Sequence, residues 1–106
     1  MATIEEFRKI ELKIAQITQV DDHPNADKLY CITVAVGEKT KQIVAGIKGS
    51  YSKEDLVGKQ VVLVDNLEPA MLRGVESQGM LLAGQDEAGI VIVSPERKMI
   101  TGSIVK

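Results

Sequence analysis

With 106 residues, of which 44% are hydrophobic and only 3% aromatic, the chain is sized for a single domain over 1–106 with a core of Val, Ile, Leu, Met and Ala. A net charge of −2 argues against a uniformly basic nucleic-acid binder. No apolar run approaches the roughly 20 residues that span a bilayer, and the N-terminus lacks the basic and apolar regions of a secretory leader, so a cytoplasmic chain without a membrane is expected. The one cysteine, Cys31, has no internal disulfide partner and sits in an apolar run, where a small buried hydrophobe is the ordinary reading. Charge is unevenly distributed. From Lys28 to Lys59 six lysines face three acids, which gives +3 and leaves −5 elsewhere, consistent with either a local basic face or scattered surface lysines.

In chain order, Thr3 and Glu6 form a capping box for a short helix over Ile4 to Arg8. Alternation then runs through Ile10, Leu12 and Ile14 and slips by one before Ile17, which predicts a long first strand bent by a bulge, as a small closed barrel requires. Asp21 to Asp27 (D-D-H-P-N-A-D) is a loop. A second strand follows from Leu29 to Val36, with Gly37-Glu38-Lys39 turning into a third over Lys41 to Ala45. Ser52 and Asp55 cap one helical turn that Gly58 stops. Gln60 to Asp65, Gln78 to Ala83 and Gly89 to Val93 read as further strands, with a turn over Gln85 to Ala88 and a loop-like tail from Ser94. The order predicts an all-β OB-fold, a five-stranded Greek-key barrel with a short helix between strands three and four and a C-terminal extension.

Enzyme motifs are missing. G-V-E-S-Q-G lacks the glycine a nucleophile elbow needs two residues before Ser77, and Gly58-Lys59 is not part of a phosphate loop. His23 with Asp21, Asp22 and Asp27 reads as solvated turn residues rather than a metal site. No catalytic residue, metal or cofactor is therefore assigned. Phe7, Tyr30 and Tyr51 are the only rings, too few for base-by-base stacking on single strands. Phe7 is expected to pack its helix, and each tyrosine is open to core, rim or stacking roles.

The most specific segment joins Val61–Val64 to Met80–Ala83 through D-N-L-E-P-A-M-L-R-G-V-E-S-Q-G, an interval expected to expose Arg73 and Ser77. With H-P-N-A-D-K-L-Y (23–30) and V-A-G-I-K (44–48), it resembles the OB-fold tRNA-binding domain family from about Phe7 to the C-terminus. That domain occurs at the C-terminus of methionyl-tRNA synthetases, as a free-standing structure-specific tRNA-binding protein, and in eukaryotic synthetase cofactors and cytokine precursors. The resemblance implies non-catalytic capture of tRNA that assists aminoacylation, with Lys28, Asn66, Arg73, Ser77 and Met80 on the binding face. Lys41 and Lys48 supply further cations suited to reading RNA by shape. It also implies a homodimer, partnered with or part of a methionyl-tRNA synthetase, with Met99, Ile100, Ile104, Val105 and the N-terminal helix either covering a neighbour or closing the barrel. Many relatives carry basic residues where this chain has Glu68, Ala70 and Met71. That difference should weaken binding or shift it toward Lys41 and Lys48. The alternative on this fold is a secretion-chaperone-like peptide binder using exposed apolar surface.

Overall fold

A computed structural model describes all of residues 1–106. Helix α1 (Ile4–Arg8) begins with the predicted capping box: the Glu6 N–H donates to the Thr3 hydroxyl at 3.2 Å, and the Thr3 N–H donates to the Glu6 carboxylate at 3.0 Å. Two satisfied donors hold a helix far too short to persist by propensity alone. No residue of α1 is buried, so Phe7 does not pack into the core and lies exposed beside Ile4 and Ile10.

Strand β1 (Leu12–Asp22) is the spine of the barrel. Its first half pairs with β4 (Gln60–Val64), from Leu12 opposite Val64 to Gln16 opposite Gln60. Its second half pairs with β2 (Tyr30–Val36), ending with Asp22 opposite Tyr30. One strand serves two neighbours because the register shifts between Ile17 and Gln19, slightly later than the slip in the hydrophobic pattern. The extra residue, Thr18, sharpens the local twist that turns the sheet. Residues 37 and 38 then lead into β3 (Lys39–Ala45), fully paired with β2 from Tyr30–Ala45 to Val36–Lys39. Along β2 the even positions are buried and the odd ones half-buried, so this strand has a core face and a partly covered outer face.

Helix α2 (Lys53–Leu56) starts at Ser52, whose hydroxyl accepts from the Asp55 N–H, and stops at Gly58, at φ 91°. It delivers Leu56, fully buried, into a core of Ile17, Ile32, Val34, Ile43, Val61 and Leu63. The main sheet runs β3-β2-β1-β4-β7, with β7 (Met80–Leu81) at the end and β10 (Ile104–Val105) added beside β1. This is the mostly-β, strongly curled OB-like barrel the pattern predicts.

Two parts of the pattern resolve differently. The connector contains its own hairpin, β5 (Ala70–Leu72) and β6 (Val75–Ser77), in place of an open loop. The fifth strand breaks after Leu81, so that β8 (Ala83–Asp86) and β9 (Gly89–Ile92) form a separate ribbon with a turn at 87 and 88. Leu82, at the break, gives its N–H to the Val62 carbonyl and accepts from the Val93 N–H, which pins the ribbon to β4.

The barrel closes between β3 and the connector through side chains. The Gln78 N–H donates to the Gln42 carbonyl at 2.8 Å, while the Gln78 side-chain oxygen accepts the Gln42 N–H at 2.9 Å. Ser77 Oγ accepts the Val44 N–H at 2.9 Å and donates to the Gly79 carbonyl at 3.0 Å. At Gly79 a Cβ would lie 3.0 Å from the Val64 carbonyl oxygen and 3.1 Å from Leu63, so a larger residue would press on the β4 backbone at this approach. The S-Q-G triplet therefore satisfies the backbone donors that β3 would otherwise leave unpaired at the seam.

Candidate nucleic-acid interface

The loop between β1 and β2 and the tip of the β5–β6 hairpin lock together. His23 is only 6% exposed. Its Nδ1 accepts the Asn25 N–H at 2.9 Å, which places the ring proton on Nε2, 2.9 Å from the Leu72 carbonyl. His23 is thus a buried pin rather than the solvated turn residue that its acidic neighbours suggest. Asn25 Nδ2 donates to the Arg73 carbonyl at 3.1 Å, and the Arg73 guanidinium returns to the Asn25 carbonyl at 3.3 Å. Arg73 has φ 54° and Gly74 φ 90°, the consecutive left-handed pair of a two-residue hairpin turn. A non-glycine residue there carries about 1–2 kcal/mol of strain, which the bonds to Asn25 offset. The latch places Lys28 and Arg73 on two adjoining exposed segments, and neither forms an ion pair.

At the C-terminal end of β4 the charges are spent internally. Asp65 lies 2.9 Å from Lys13 Nζ through Oδ2 and 2.6 Å from Lys41 Nζ through Oδ1. The directed hydrogen bond of Lys41 goes to the Asp65 carbonyl oxygen at 2.7 Å, and Oδ1 has no aligned donor, so charge attraction rather than a shaped bond holds it. Burial pushes the Asp65 carboxyl up, but the close contact of Lys41 with Oδ1, the bond from Lys13 to Oδ2 and the charges of both outweigh this and bring it below the ordinary carboxylate value. The same bond to Asp65 raises Lys13. Asn66 is also engaged: its Oδ1 accepts the Glu11 N–H at 2.8 Å and its Nδ2 donates to the Lys9 carbonyl at 2.7 Å. It ties the segment after α1 to the connector.

Lys48 and Lys53 share the Asp22 carboxylate, each at 3.0 Å, and their hydrogen bonds, that of Lys53 first, lower the Asp22 pKa. Lys48 also sits 5.8 Å above the Tyr30 ring. Tyr30 is buried with its hydroxyl donating to the Tyr51 carbonyl, and Tyr51 accepts the Ile92 N–H. Tyr30 is thus part of the core, while Tyr51 is half-buried against it with the Lys59 ammonium 5.8 Å from its ring.

Beside the hairpin runs an apolar trough in two parts that share Val44 and Met80. One, of about 370 Å³, lies between Val44–Ile47 and Met80–Gln85. The other, of about 240 Å³, lies under Leu67, Ala70 and Leu72. Met80 is half exposed and Met71 more so.

The seven candidate residues thus divide. Arg73 bonds to Asn25 across the latch, with Lys28 exposed three residues further along the same loop, and Met80 borders the trough beside the hairpin. Lys41, Asn66 and Ser77 are joined to internal partners, with Ser77 only 5% exposed, and Lys48 is half neutralised by Asp22. His23 and Asn25 emerge as organisers of the edge. The H-P-N-A-D run shows them in sequence, but nothing local reveals that their partners, Leu72 and Arg73, lie 49 and 48 residues away. A family model described as "Putative tRNA binding domain" matches residues 12–104. The chain belongs to the tRNA-binding domain family. This tRNA-binding domain is 46% identical over 102 residues to a methionine-tRNA ligase of Thermococcus onnurineus, covering 96% of the chain and 14% of the ligase. Among solved structures, a MetRS-related protein from Pyrococcus horikoshii superposes with a TM-score of 0.92 at 30% identity, covering 100% of this chain and 98% of that one. The chaperone CsaA from Bacillus anthracis also superposes with a TM-score of 0.92, at 28% identity, over 100% and 99% of the two chains.

Proposed function

We propose that this domain captures folded tRNA without catalysing any reaction, and that it assists aminoacylation in the cytoplasm as part of, or in company with, a methionyl-tRNA synthetase. The observation that carries the reading is the latched edge, where Lys28 and Arg73 stand without carboxylate partners on elements whose relative position is fixed. Fixed cations at set spacing suit an RNA read by backbone shape, because ordering costs are met during folding and not on binding. Met80 adds an apolar contact for a splayed base at the margin of the same edge. Lys48 contributes the part of its charge that Asp22 leaves free, while Lys41, Asn66 and Ser77 serve the interface by holding its frame.

A second copy of the chain completes the proposal. Phe7, Ile10, Leu12, Ile104 and Val105 line an apolar groove of about 230 Å³, and Ile4 and Ile100 stand exposed. These residues suit an isologous contact that doubles the latched edge and raises effective concentration on one tRNA.

The test is a titration of fluorescent unfractionated tRNA against single-stranded DNA of matched length, repeated across salt concentrations. Preference for tRNA is expected, with a salt slope that shrinks in Lys28→Ala and Arg73→Ala by roughly 0.7 to 0.9 per lost phosphate contact. Absence of tRNA binding at low salt would remove the reading. The apolar trough beside Met80 and the likeness to CsaA favour a second reading, binding of extended apolar peptide. It predicts that an unfolded polypeptide competes with tRNA and that Met80→Glu abolishes the competitor's binding.

A further inference from the structure

The tail of the chain builds a second concave surface that shares no residue with the latched edge. After β9, Val93 accepts the Val62 N–H at 3.3 Å and donates to the Leu82 carbonyl at 3.0 Å, which fixes the entry to the segment S-P-E-R-K (94–98). Its exit is fixed by Gln60, which is buried at the start of β4: Nε2 donates to the Met99 carbonyl at 2.7 Å and Oε1 accepts the Met99 N–H at 2.9 Å. A side-chain amide bonding both backbone groups of one residue acts like a strand partner. The five intervening residues, stiffened by Pro95, are therefore held at both ends.

Between this segment and the turn at Gly58–Lys59 lies a pocket of about 260 Å³ with no hydrophobic lining residue. Lys59, Arg97 and Lys98 line it against a single acid, Glu96, and none of the four forms a salt bridge. The lysines that do form salt bridges close on two shared carboxylates: Lys13 and Lys41 on Asp65, Lys48 and Lys53 on Asp22. In a chain of net charge −2, three unpaired cations around one polar concavity form a local positive field that attracts anions.

We propose that this pocket is a second phosphate-binding site that takes the sugar-phosphate backbone of the captured RNA. It rests on the tRNA-binding reading and extends it to a second surface of the barrel. The pocket adjoins Gln60 at the start of β4 and the connector leaves Val64 at its end, a separation along the strand of about 13 Å. An anion here meets the guanidinium fork of Arg97, which suits phosphate oxygens, and two mobile ammonium groups. With no hydrophobic residue and no free ring in its lining, the pocket has no platform on which to stack a base. Contacts at this site add affinity and orientation without sequence preference.

The experiment is the salt-dependent titration of tRNA against wild type, the double variant Arg97→Ala/Lys98→Ala, the triple variant that adds Lys59→Ala, and Glu96→Gln. The double variant disturbs no packed ring, whereas Lys59 lies 5.8 Å from the Tyr51 ring, so the pair separates lost charge from lost packing. The expected slope falls by about 1 in the double variant and about 2 in the triple one, and Glu96→Gln tightens binding roughly two- to threefold, a gain that misfolding cannot produce. Wild type that binds tRNA with slopes unchanged in both variants would overturn the second site and leave the capture of tRNA standing. Wild type that binds no tRNA would overturn both.

Discussion

The two ends of β4 handle charge in opposite ways. At the Val64 end Asp65 draws in Lys13 and Lys41 and Asn66 ties down the chain near α1, so polar groups there are spent on holding the barrel. At the Gln60 end a single buried amide fixes the tail, and Lys59, Arg97 and Lys98 stand unpaired around a polar pocket. The difference teaches that the most recognisable residues of the chain need not be its binding residues. A motif as specific as N-L-E-P-A-M-L-R-G-V-E-S-Q-G goes mostly to barrel closure and a strained turn, with Arg73 its one free cation, while two more free cations stand in an unremarkable S-P-E-R-K segment.

The largest effect that sharpens this contrast is expected at Ser77. Ser77→Ala strips the Val44 N–H of its acceptor at a buried seam and should cost roughly 2 kcal/mol in urea unfolding. Below the unfolding transition, tRNA affinity is expected to stay within about twofold of wild type. A large loss of affinity in fully folded protein would place Ser77 in contact with RNA and break the contrast.

Asp65→Asn comes next, with an expected cost of about 1–2 kcal/mol for losing a partly buried charge pair. Because the folded carboxyl titrates below its ordinary 3.8, its contribution is fully present above that value and fades as pH falls through the lowered folded value. Stability measured against pH should therefore converge for wild type and variant in acid and diverge toward neutrality. The same change frees Lys13 and Lys41, so tRNA should bind more tightly although the fold is weaker. Parallel curves at all pH values would remove the assigned role of Asp65.

His23 tests the latch. His23→Ala should lower tRNA affinity about threefold to tenfold by loosening Arg73 against Lys28, with roughly 1 kcal/mol of lost stability. His23→Gln, able to donate to the Leu72 carbonyl, should recover most of the affinity. Failure of glutamine to rescue would indicate that the Leu72 bond does not position the edge. The smallest effect is expected for Thr3→Ala, which removes the cap of a helix that buries nothing. About 0.5–1 kcal/mol of local helix stability should be lost, seen as fraying in amide exchange and as weakening of the proposed dimer by sedimentation, with the barrel's unfolding midpoint unchanged.

Much of the barrel was legible because local chemistry and global fold agree along α1, β1 to β3, α2 and β4. Thr3, Ser52 and Gly58 each act within one turn of where they stand. The connector hairpin was not legible: its turn is Arg73-Gly74, and arginine rarely takes φ > 0. Only Asn25, distant in sequence, makes the conformation tolerable. The break after Leu81 was hidden for a similar reason, since Leu82 continues the apolar run while bonding to β4 and the tail. At the candidate site, sequence brought forward segments that the fold sets together but could not separate free cations from paired ones. That distinction depends on which lysine reaches Asp65 or Asp22 across the sheet.

The most direct measurement is the footprint of tRNA on the backbone amides of the isotopically labelled domain. Perturbation is expected in three clusters, at His23–Lys28, at Arg73–Gly74 and at Gly58–Gln60 with Arg97–Lys98, each fading as salt is raised. A footprint confined to the apolar trough at Val44–Ile47 and Met80–Gln85, indifferent to salt, would contradict the account.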